Sequence, residues 1–157
     1  MSTTSFDSVF NKTASLCARQ EYCCSEIKEK LKKWNYNDEI TQKVISRLLS
    51  EKYIDERRFA EFYARDKFRF NKWGKQKIVW QLRQKQVPEE YINAAINTID
   101  SEEYKNTLLA ILKEKGRSLG NIDIVKKKAS LIRFAASRGF NIDEIMPLVE
   151  QTVNRKQ

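Results

Sequence analysis

Apolar residues recur along this chain at the three-to-four spacing of amphipathic helices, and the helical pattern itself repeats. The segment Ile54-Asp55-Glu56-Arg57-Arg58-Phe59 has a counterpart 45 residues later, Ile99-Asp100-Ser101-Glu102-Glu103-Tyr104. Two further registers, offset by 51 and 53 residues, relate the first, middle and last thirds of the chain. Repeats of this length are typical of helical arrays. The sequence therefore predicts an all-α fold, an elongated tandem array of three three-helix modules.

The repeats divide the chain of 157 residues into five segments. The predicted ranges are a flexible N-terminus at 1–13, module 1 at 14–54, module 2 at 55–99, module 3 at 100–153 and a frayed C-terminus at 154–157. Only four glycines and two prolines occur, which is too few for the tight turns of a β-sandwich or barrel.

Signals for helix ends agree with this division. Asn37 and Asp55 stand where N-cap residues are needed, and Pro88 suits the first turn of a helix. Gly139 suits the C′ position after a helix, and Asn141 opens an Asn-x-x-Glu start signal. These signals predict helices in all three modules.

Several classes of enzyme are disfavoured by what the sequence lacks. Histidine is absent, which removes the usual general base and the commonest zinc ligand. The segment 116–120 lacks the lysine of a phosphate-binding loop and is predicted to be an ordinary loop. Acidic pairs such as Asp38-Glu39 and Glu89-Glu90 fall at predicted helix starts, where they favourably meet the helix dipole. We therefore predict no catalytic residue, no cofactor and no metal, and we expect a protein that is not an enzyme.

The cysteines and the hydropathy pattern bear on location. Cys17, Cys23 and Cys24 form no CxxC pair, and an odd count is a poor disulfide framework, so reduced core thiols are expected. Neither a secretory signal nor an 18-residue apolar run is visible. We expect a cytoplasmic protein that does not associate with membranes.

Positive charge is concentrated in one part of the chain. The net charge is +9, and residues 57–85 alone carry +8 because only two acids lie among ten basic residues. The ten are Arg57, Arg58, Arg65, Lys67, Arg69, Lys72, Lys75, Lys77, Arg83 and Lys85. Helical spacing predicts one stripe that contains Arg58, Arg65, Arg69 and Lys72. By contrast, Lys126-Lys127-Lys128 is expected to be a solvated helix face.

Two interpretations of this basic segment are open. It could be a solvated face that keeps the protein soluble. It could instead bind a polyanion, either a nucleic-acid backbone or an acidic protein groove, because Phe68, Phe70, Trp73 and Trp80 are interleaved with the charges.

Most aromatic residues are nonetheless expected to be structural. Phe59, Phe62 and Tyr63 have the spacing of core residues, and the tryptophans at 34, 73 and 80 are expected to cover module interfaces.

One run of residues resembles a known family. Tyr53-Ile54-Asp55-Glu56-Arg57-Arg58-Phe59-Ala60, followed by Tyr63, Arg65, Trp73-Gly74, Lys77-Ile78 and Leu82, is similar to the signature of the RecX family of recombination regulators. The structural positions of the motif are Asp55, Phe59, Ala60, Gly74, Ile78 and Leu82. The chain departs from the family at Gln86 and Asn35, where the family usually has glycine, so another turn geometry is expected there.

The resemblance implies a function. Members of the RecX family bind the ATP-bound RecA recombinase filament on single-stranded DNA and restrain its ATP hydrolysis, strand exchange and coprotease activity. By this resemblance the expected partners are the RecA filament and single-stranded DNA, contacted directly or through the filament, and the chain is expected to be a monomer. A stand-alone DNA- or RNA-binding protein is the alternative, because phosphate neutralisation alone would also use the basic segment.

Overall fold

The computed structural model describes residues 3–154, and within that range nine helices and no strand are found. The helices are α1 (Thr3–Arg19), α2 (Cys24–Lys33), α3 (Asp38–Ser50), α4 (Glu56–Asn71), α5 (Lys75–Gln84), α6 (Glu89–Asn97), α7 (Ser101–Leu119), α8 (Ile124–Ser137) and α9 (Ile142–Asn154). We call α1–α3, α4–α6 and α7–α9 the first, second and third triplets. The all-α prediction is confirmed. Across residues 3–154, every helix is too short or too polar to cross a bilayer.

From Thr3 onward, the N-terminal segment differs from the prediction of a flexible stretch at 1–13, of which residues 1 and 2 lie outside the described range. Helix α1 already begins at Thr3, and its Val9 and Phe10 are buried. Thr13 is fully buried as well, and its hydroxyl donates hydrogen bonds to the carbonyl oxygens of Val9 and Phe10, both at 3.0 Å. The Ser/Thr-rich composition suggested a loop, but the hydroxyl bonds the helix backbone and so can be buried at little cost. Of the predicted frayed end at 154–157, only Asn154 lies within the described residues, as the last residue of α9.

The predicted N-caps are present. The Asn37 side chain accepts a hydrogen bond from the Ile40 amide at 2.9 Å at the start of α3. The Asp55 carboxylate accepts one from the Arg58 amide at 3.0 Å at the start of α4. Acidic pairs lie in the first turns of α3, α6, α7 and α9, as the dipole argument expects.

Helices α2, α3, α4 and α5 are each followed by a non-glycine residue in the left-handed region. These residues are Asn35, Lys52, Lys72 and Gln86, with φ between 58° and 68°. After α5, the amide of the next residue, Val87, donates back to the Leu82 carbonyl at 3.1 Å, which is the pattern of a Schellman turn. The expectation of another turn geometry at Asn35 and Gln86 is therefore wrong: the left-handed turn is kept without glycine.

Two further expectations about helices need correction. The segment 116–120 is not a loop, because α7 continues through Leu119 and only Gly120 follows it. On α4, Phe59 is buried at 3% exposure, but Phe62 is 49% and Phe70 80% exposed. The buried face of α4 continues instead through small and aromatic residues, Ala60, Ala64 and Phe68.

The described chain divides into two compact units. Unit 1 comprises Met1–Phe62 and Leu82–Ala94, and unit 2 comprises Tyr63–Gln81 and Ala95–Gln157. The predicted module boundaries fall in the connections before α4 and before α7, whereas the unit boundaries fall inside α4, α5 and α6. Each helix of the second triplet therefore contributes residues to both units.

One hydrophobic core cluster of unit 1 is built by the first triplet together with Ile54. Its buried residues are Val9, Phe10, Ala14, Ile27, Leu31, Val44, Ile45, Leu48 and Ile54. Trp34 packs against this cluster, and the Lys12 ammonium lies 3.8 Å from the centre of its ring.

The core of unit 2 contains a row of three rings. The Tyr104 ring centre lies 5.6 Å from that of Phe68 and 5.1 Å from that of Phe140. The Tyr104 hydroxyl accepts a hydrogen bond from the Lys75 amide at 2.8 Å, so α7 satisfies a donor at the first residue of α5.

Backbone contacts fix the connection between α4 and α5. The Gly74 amide donates to the Arg138 carbonyl at 2.7 Å, and the Gln76 amide donates to the Gly139 carbonyl at 3.0 Å. A Cβ on Gly74 would collide with the backbone of Gly139 and Phe140. Glycine is therefore required at residue 74 by close approach of two backbones.

Candidate functional site

The basic segment 57–85 runs through α4 and α5, and its ten basic residues fall into two sets. Arg57, Arg58, Arg83 and Lys85 belong to unit 1. Arg65, Lys67, Arg69, Lys72, Lys75 and Lys77 belong to unit 2. The two sets differ in what surrounds them.

The four basic residues of the segment that belong to unit 1 all have carboxylate partners. The pairs are Arg57–Glu61 (3.2 Å), Arg58–Glu21 (2.6 Å), Arg83–Glu89 (2.7 Å) and Lys85–Glu26 (2.8 Å). The hydrogen bond that the Arg58 guanidinium donates to the Glu21 carboxylate raises the pKa of Arg58, so this guanidinium is permanently charged but also neutralised locally. These four residues consequently offer little uncompensated charge to a polyanion.

In unit 2, two lysines surround a tryptophan. The Lys77 ammonium lies 4.7 Å and the Lys67 ammonium 5.3 Å from the centre of the Trp73 ring. Tyr63 meets the same tryptophan edge-on, with ring centres 6.4 Å apart. We call Tyr63, Lys67, Trp73 and Lys77 the Trp73 cluster. Both ammonium groups lie within the range of a cation–π interaction, which holds the cations near the ring without neutralising them.

The remaining cations of the basic segment in unit 2 differ from one another in their neighbours. Arg69 lies 3.7 Å from Glu103, and the Lys72 ammonium donates to the Arg69 carbonyl at 2.6 Å. Lys75 lies over the ring of Tyr104 at 4.6 Å, and Arg65 is exposed. Lys72 is not on the helix but in the left-handed turn after it. Lys72 therefore lies outside the helical stripe predicted for Arg58, Arg65, Arg69 and Lys72. Arg58 and Arg69 are in addition paired with carboxylates.

Large rings are exposed within the same segment of unit 2. Phe70 is 80% and Trp80 57% exposed. Exposed rings combined with cations suit stacking of unpaired bases and contact with phosphates. We group these candidate binding residues of unit 2 under the name mixed cationic and aromatic surface: Arg65, Lys72, Phe70, Trp80 and the Trp73 cluster.

The cysteines are poor nucleophiles at neutral pH. Burial raises the pKa of Cys17 to about 11, and burial together with Glu56 raises that of Cys24 to about 12. Cys23 is fully buried, and all three thiols are free. Within residues 3–154, no cluster of three His, Cys, Asp or Glu side chains is placed to hold a metal ion.

A second set of cations was missed by the sequence reasoning. Lys127, expected to be solvated, is only 6% exposed, and its ammonium donates to the Gly120 carbonyl at 3.1 Å. It lines a pocket with Lys113 and Arg117 of α7. The sequence holds one signal for this pocket, which is Gly116 inside a helical pattern. A glycine within a helix often marks the close approach of another segment or an open space beside the helix.

Comparison with known proteins gives a consistent result. Residues 55–96 match the family model of the second three-helix domain of RecX, and residues 10–48 match that of the first. A regulatory protein RecX of Clostridium botulinum is 28% identical over 131 residues, covering 82% of this chain and 61% of the relative. The corresponding protein of Prosthecochloris aestuarii is 28% identical over 151 residues, covering 96% of this chain and 97% of the relative. The chain spans about 60% of the length of the clostridial relatives that it matches.

Solved structures share the fold. A crystal structure of RecX from Lactobacillus salivarius superposes with a TM-score of 0.85 at 14% identity, covering 98% of this chain and 99% of the other. A second crystal structure, of a regulatory protein RecX, gives a TM-score of 0.82 at 18% identity, covering 96% of this chain and 72% of the other.

Proposed function

Since the chain belongs to the RecX family of regulatory proteins, we propose that it binds the ATP-bound RecA filament on single-stranded DNA and inhibits its ATPase, strand-exchange and coprotease activities. The observation that supports this proposal most is that both the first and the second RecX three-helix domains are matched. The protein acts by binding and is not itself a catalyst.

The mixed cationic and aromatic surface of unit 2 is the part of the chain assigned to this contact. Arg65 and Phe70 are exposed, and the lysines of the Trp73 cluster are held by a ring rather than by carboxylates. Such a surface complements either the phosphates and bases of single-stranded DNA or an acidic wall of the filament. Binding shifts the filament toward the state that the protein prefers, by as much as its affinities for the two states differ. Activity falls when the preferred state is the less active one.

The test is a titration of this protein into a RecA-catalysed, single-stranded-DNA-dependent ATPase reaction. Inhibition is expected at amounts far too small to cover the DNA. Binding of the protein to the same DNA without RecA is measured in parallel at equal salt. Inhibition only when the protein coats the DNA would replace the proposal with that of a stand-alone DNA- or RNA-binding protein, whose affinity would fall steeply with salt.

A further inference from the structure

The third triplet carries two cations that are held by an aromatic ring, as the lysines of the Trp73 cluster are. The Arg138 guanidinium carbon lies 4.9 Å from the centre of the Phe134 ring, and the Lys115 ammonium lies 5.3 Å from the same centre. Both distances are within the range of a cation–π interaction. We call Lys115, Phe134 and Arg138 the Phe134 cluster. An arrangement of two cations around one ring thus occurs twice in unit 2.

The two clusters are adjacent, because Arg138 is bonded to the connection that contains Trp73. The Arg138 guanidinium donates a hydrogen bond to the Asn71 carbonyl at 3.3 Å. The Arg138 carbonyl accepts a hydrogen bond from the Gly74 amide at 2.7 Å. These two bonds hold Arg138 against both ends of the connection from α4 to α5. The cations of the Phe134 cluster therefore extend those of the Trp73 cluster onto the third triplet.

Neither cation of the Phe134 cluster is neutralised by a carboxylate. In the described part of the chain, no carboxylate lies within ion-pair distance of Lys115 or Arg138. Another cation of the third triplet does have such a partner, since Lys128 pairs with Glu150 at 3.0 Å. A ring holds a cation in place and leaves its positive charge available to a further partner. The two clusters together present four cations that are held in this way.

The residues of this surface favour a single strand of nucleic acid over an acidic protein face. Cations distributed over two adjacent clusters match a chain that carries a phosphate at every nucleotide. The exposed rings of Phe70 and Trp80 in the same unit suit the stacking of bases, which a protein face does not supply. Bases that are paired in a duplex are not available for such stacking, so the strand that fits is single.

We propose that Lys115 and Arg138 contact phosphates of a single strand of nucleic acid, which the Phe134 cluster and the Trp73 cluster bind together. This inference rests on the proposed function, because it names which of the two partners considered there the surface of unit 2 contacts. It also assigns to binding two residues that lie outside the basic segment 57–85. Since the rings hold the cations in place before the strand arrives, less side-chain entropy is lost on binding.

The test measures binding of the full chain to an oligothymidylate of about 16 nucleotides, without RecA and at several salt concentrations. The cluster variant is K115Q/R138Q. The matched control is K113Q/R133Q, which removes the same charge from α7 and α8. Residues 113 and 115 lie on nearly opposite sides of α7, so the control leaves the Phe134 cluster intact. The single variants R138Q and R138K separate the charge of Arg138 from its hydrogen bond to Asn71.

The cluster variant should bind the oligothymidylate at least about tenfold more weakly than the unaltered protein, whereas binding by the control should be nearly unchanged. The slope of log affinity against log salt should become shallower by about 0.7 for each phosphate contact that is lost. R138K should keep most of the affinity that R138Q loses. The inference is overturned by equal losses in the cluster variant and the control, by equal losses in R138K and R138Q, or by an unaltered protein that does not bind the oligothymidylate.

Inhibition of the RecA ATPase by the same variants separates this inference from the proposed function. If K115Q/R138Q binds the oligothymidylate as the control does but no longer inhibits RecA, the two cations contact protein. That result would overturn the inference and leave the proposed function in place. If the unaltered protein binds the oligothymidylate through these cations but does not inhibit RecA, the proposed function fails and the contact with the strand stands.

Discussion

At the scale of single residues, the left-handed turns hold non-glycine residues in a backbone conformation that is unfavourable in free energy. Gln86 has φ 63°, a conformation that disfavours any residue with a Cβ by roughly 1–2 kcal/mol. The turn persists because Val87 is buried at 4% exposure and its amide returns to the Leu82 carbonyl. Packing after the turn therefore outweighs the local preference of the glutamine.

Replacement of Gln86 by glycine should stabilise the protein. Glycine removes the Cβ penalty but loses more backbone entropy on folding, so a net gain of about 0.5–1 kcal/mol in the free energy of unfolding is expected. Urea unfolding followed by circular dichroism measures it. The matched control is Gln84→Gly, two residues earlier at the end of α5, which should instead lose about 1 kcal/mol. Equal effects of the two changes would contradict the turn argument.

Two phenylalanines of α4 provide a direct test of burial. Phe59 is 3% exposed, so Phe59→Ala should lower the free energy of unfolding by about 3–5 kcal/mol. Phe62 is 49% exposed, and Phe62→Ala should stay within about 0.5 kcal/mol of the unaltered protein. Thermal and urea unfolding of the two variants should separate them clearly; similar losses would mean that the face assigned to α4 is wrong.

At the scale of helices, Tyr104 connects α7 to the start of α5. Tyr104→Phe removes the acceptor of the Lys75 amide and should cost about 1 kcal/mol at pH 8. Burial also raises the pKa of the Tyr104 phenol above its ordinary value of 10.0. The phenol thus stays neutral in the folded protein at a pH where it ionises in the unfolded chain. Its contribution to stability is complete below pH 10 and declines as the pH rises further.

The difference in stability between the unaltered protein and Tyr104→Phe should therefore shrink between pH 8 and pH 11. Urea unfolding at the two pH values measures this difference, with Tyr91→Phe on α6 as a half-buried control. A difference that stays constant with pH would argue against neutral burial of Tyr104.

The proposed function depends most on the basic residues at the end of α4. Changing Arg65, Arg69 and Lys72 to Glu should weaken binding to the RecA filament at least about tenfold, because surface charges control association with polyanions. The control changes Lys28, Lys32 and Lys33 of α2 to Glu, which alters the net charge equally. Helical circular dichroism should be unchanged in both variants. If the control binds as weakly as the α4 variant, the effect is one of total charge and not of this surface.

Much of the helical architecture could be predicted from sequence, because it depends on local signals. Apolar spacing and caps such as Asn37 and Asp55 act within a few residues of where they are read. The carboxylates that pair with the basic segment could not be predicted from such local signals. Arg58 and Arg69 are neutralised by Glu21 and Glu103, which are distant in sequence and meet them only in the folded chain.

At the scale of the whole molecule, the two units share the second triplet and differ in the other triplet that each contains. In unit 1, one core cluster is drawn from residues 9–54, whereas unit 2 combines residues 63–81 with the third triplet. Phe68 depends on the ring of Tyr104, and the amides of Gly74 and Gln76 depend on carbonyls of Arg138 and Gly139. The end of α4 is thus stabilised by chain that comes much later in the sequence.

A fragment that ends at residue 99 should show this dependence. Amides at 63–71 are expected to lose hydrogen-exchange protection by at least about 100-fold, while those of α2 and α3 keep most of theirs. Hydrogen exchange read by mass spectrometry on the fragment and on the full chain measures both. Retained protection at 63–71 would show that the second triplet holds α4 without the third.

The close approach of Gly74 to Gly139 also has a consequence for how such a chain can diverge. A Cβ on Gly74 would meet the backbone of Gly139, and one on Gly139 would meet Lys77, so neither glycine can change while the other connection keeps its path. The two glycines must therefore be conserved together, although they are distant in sequence. A chimaera that takes its third triplet from a relative would keep this contact only when the α4–α5 connection and the α8–α9 connection come from compatible parents.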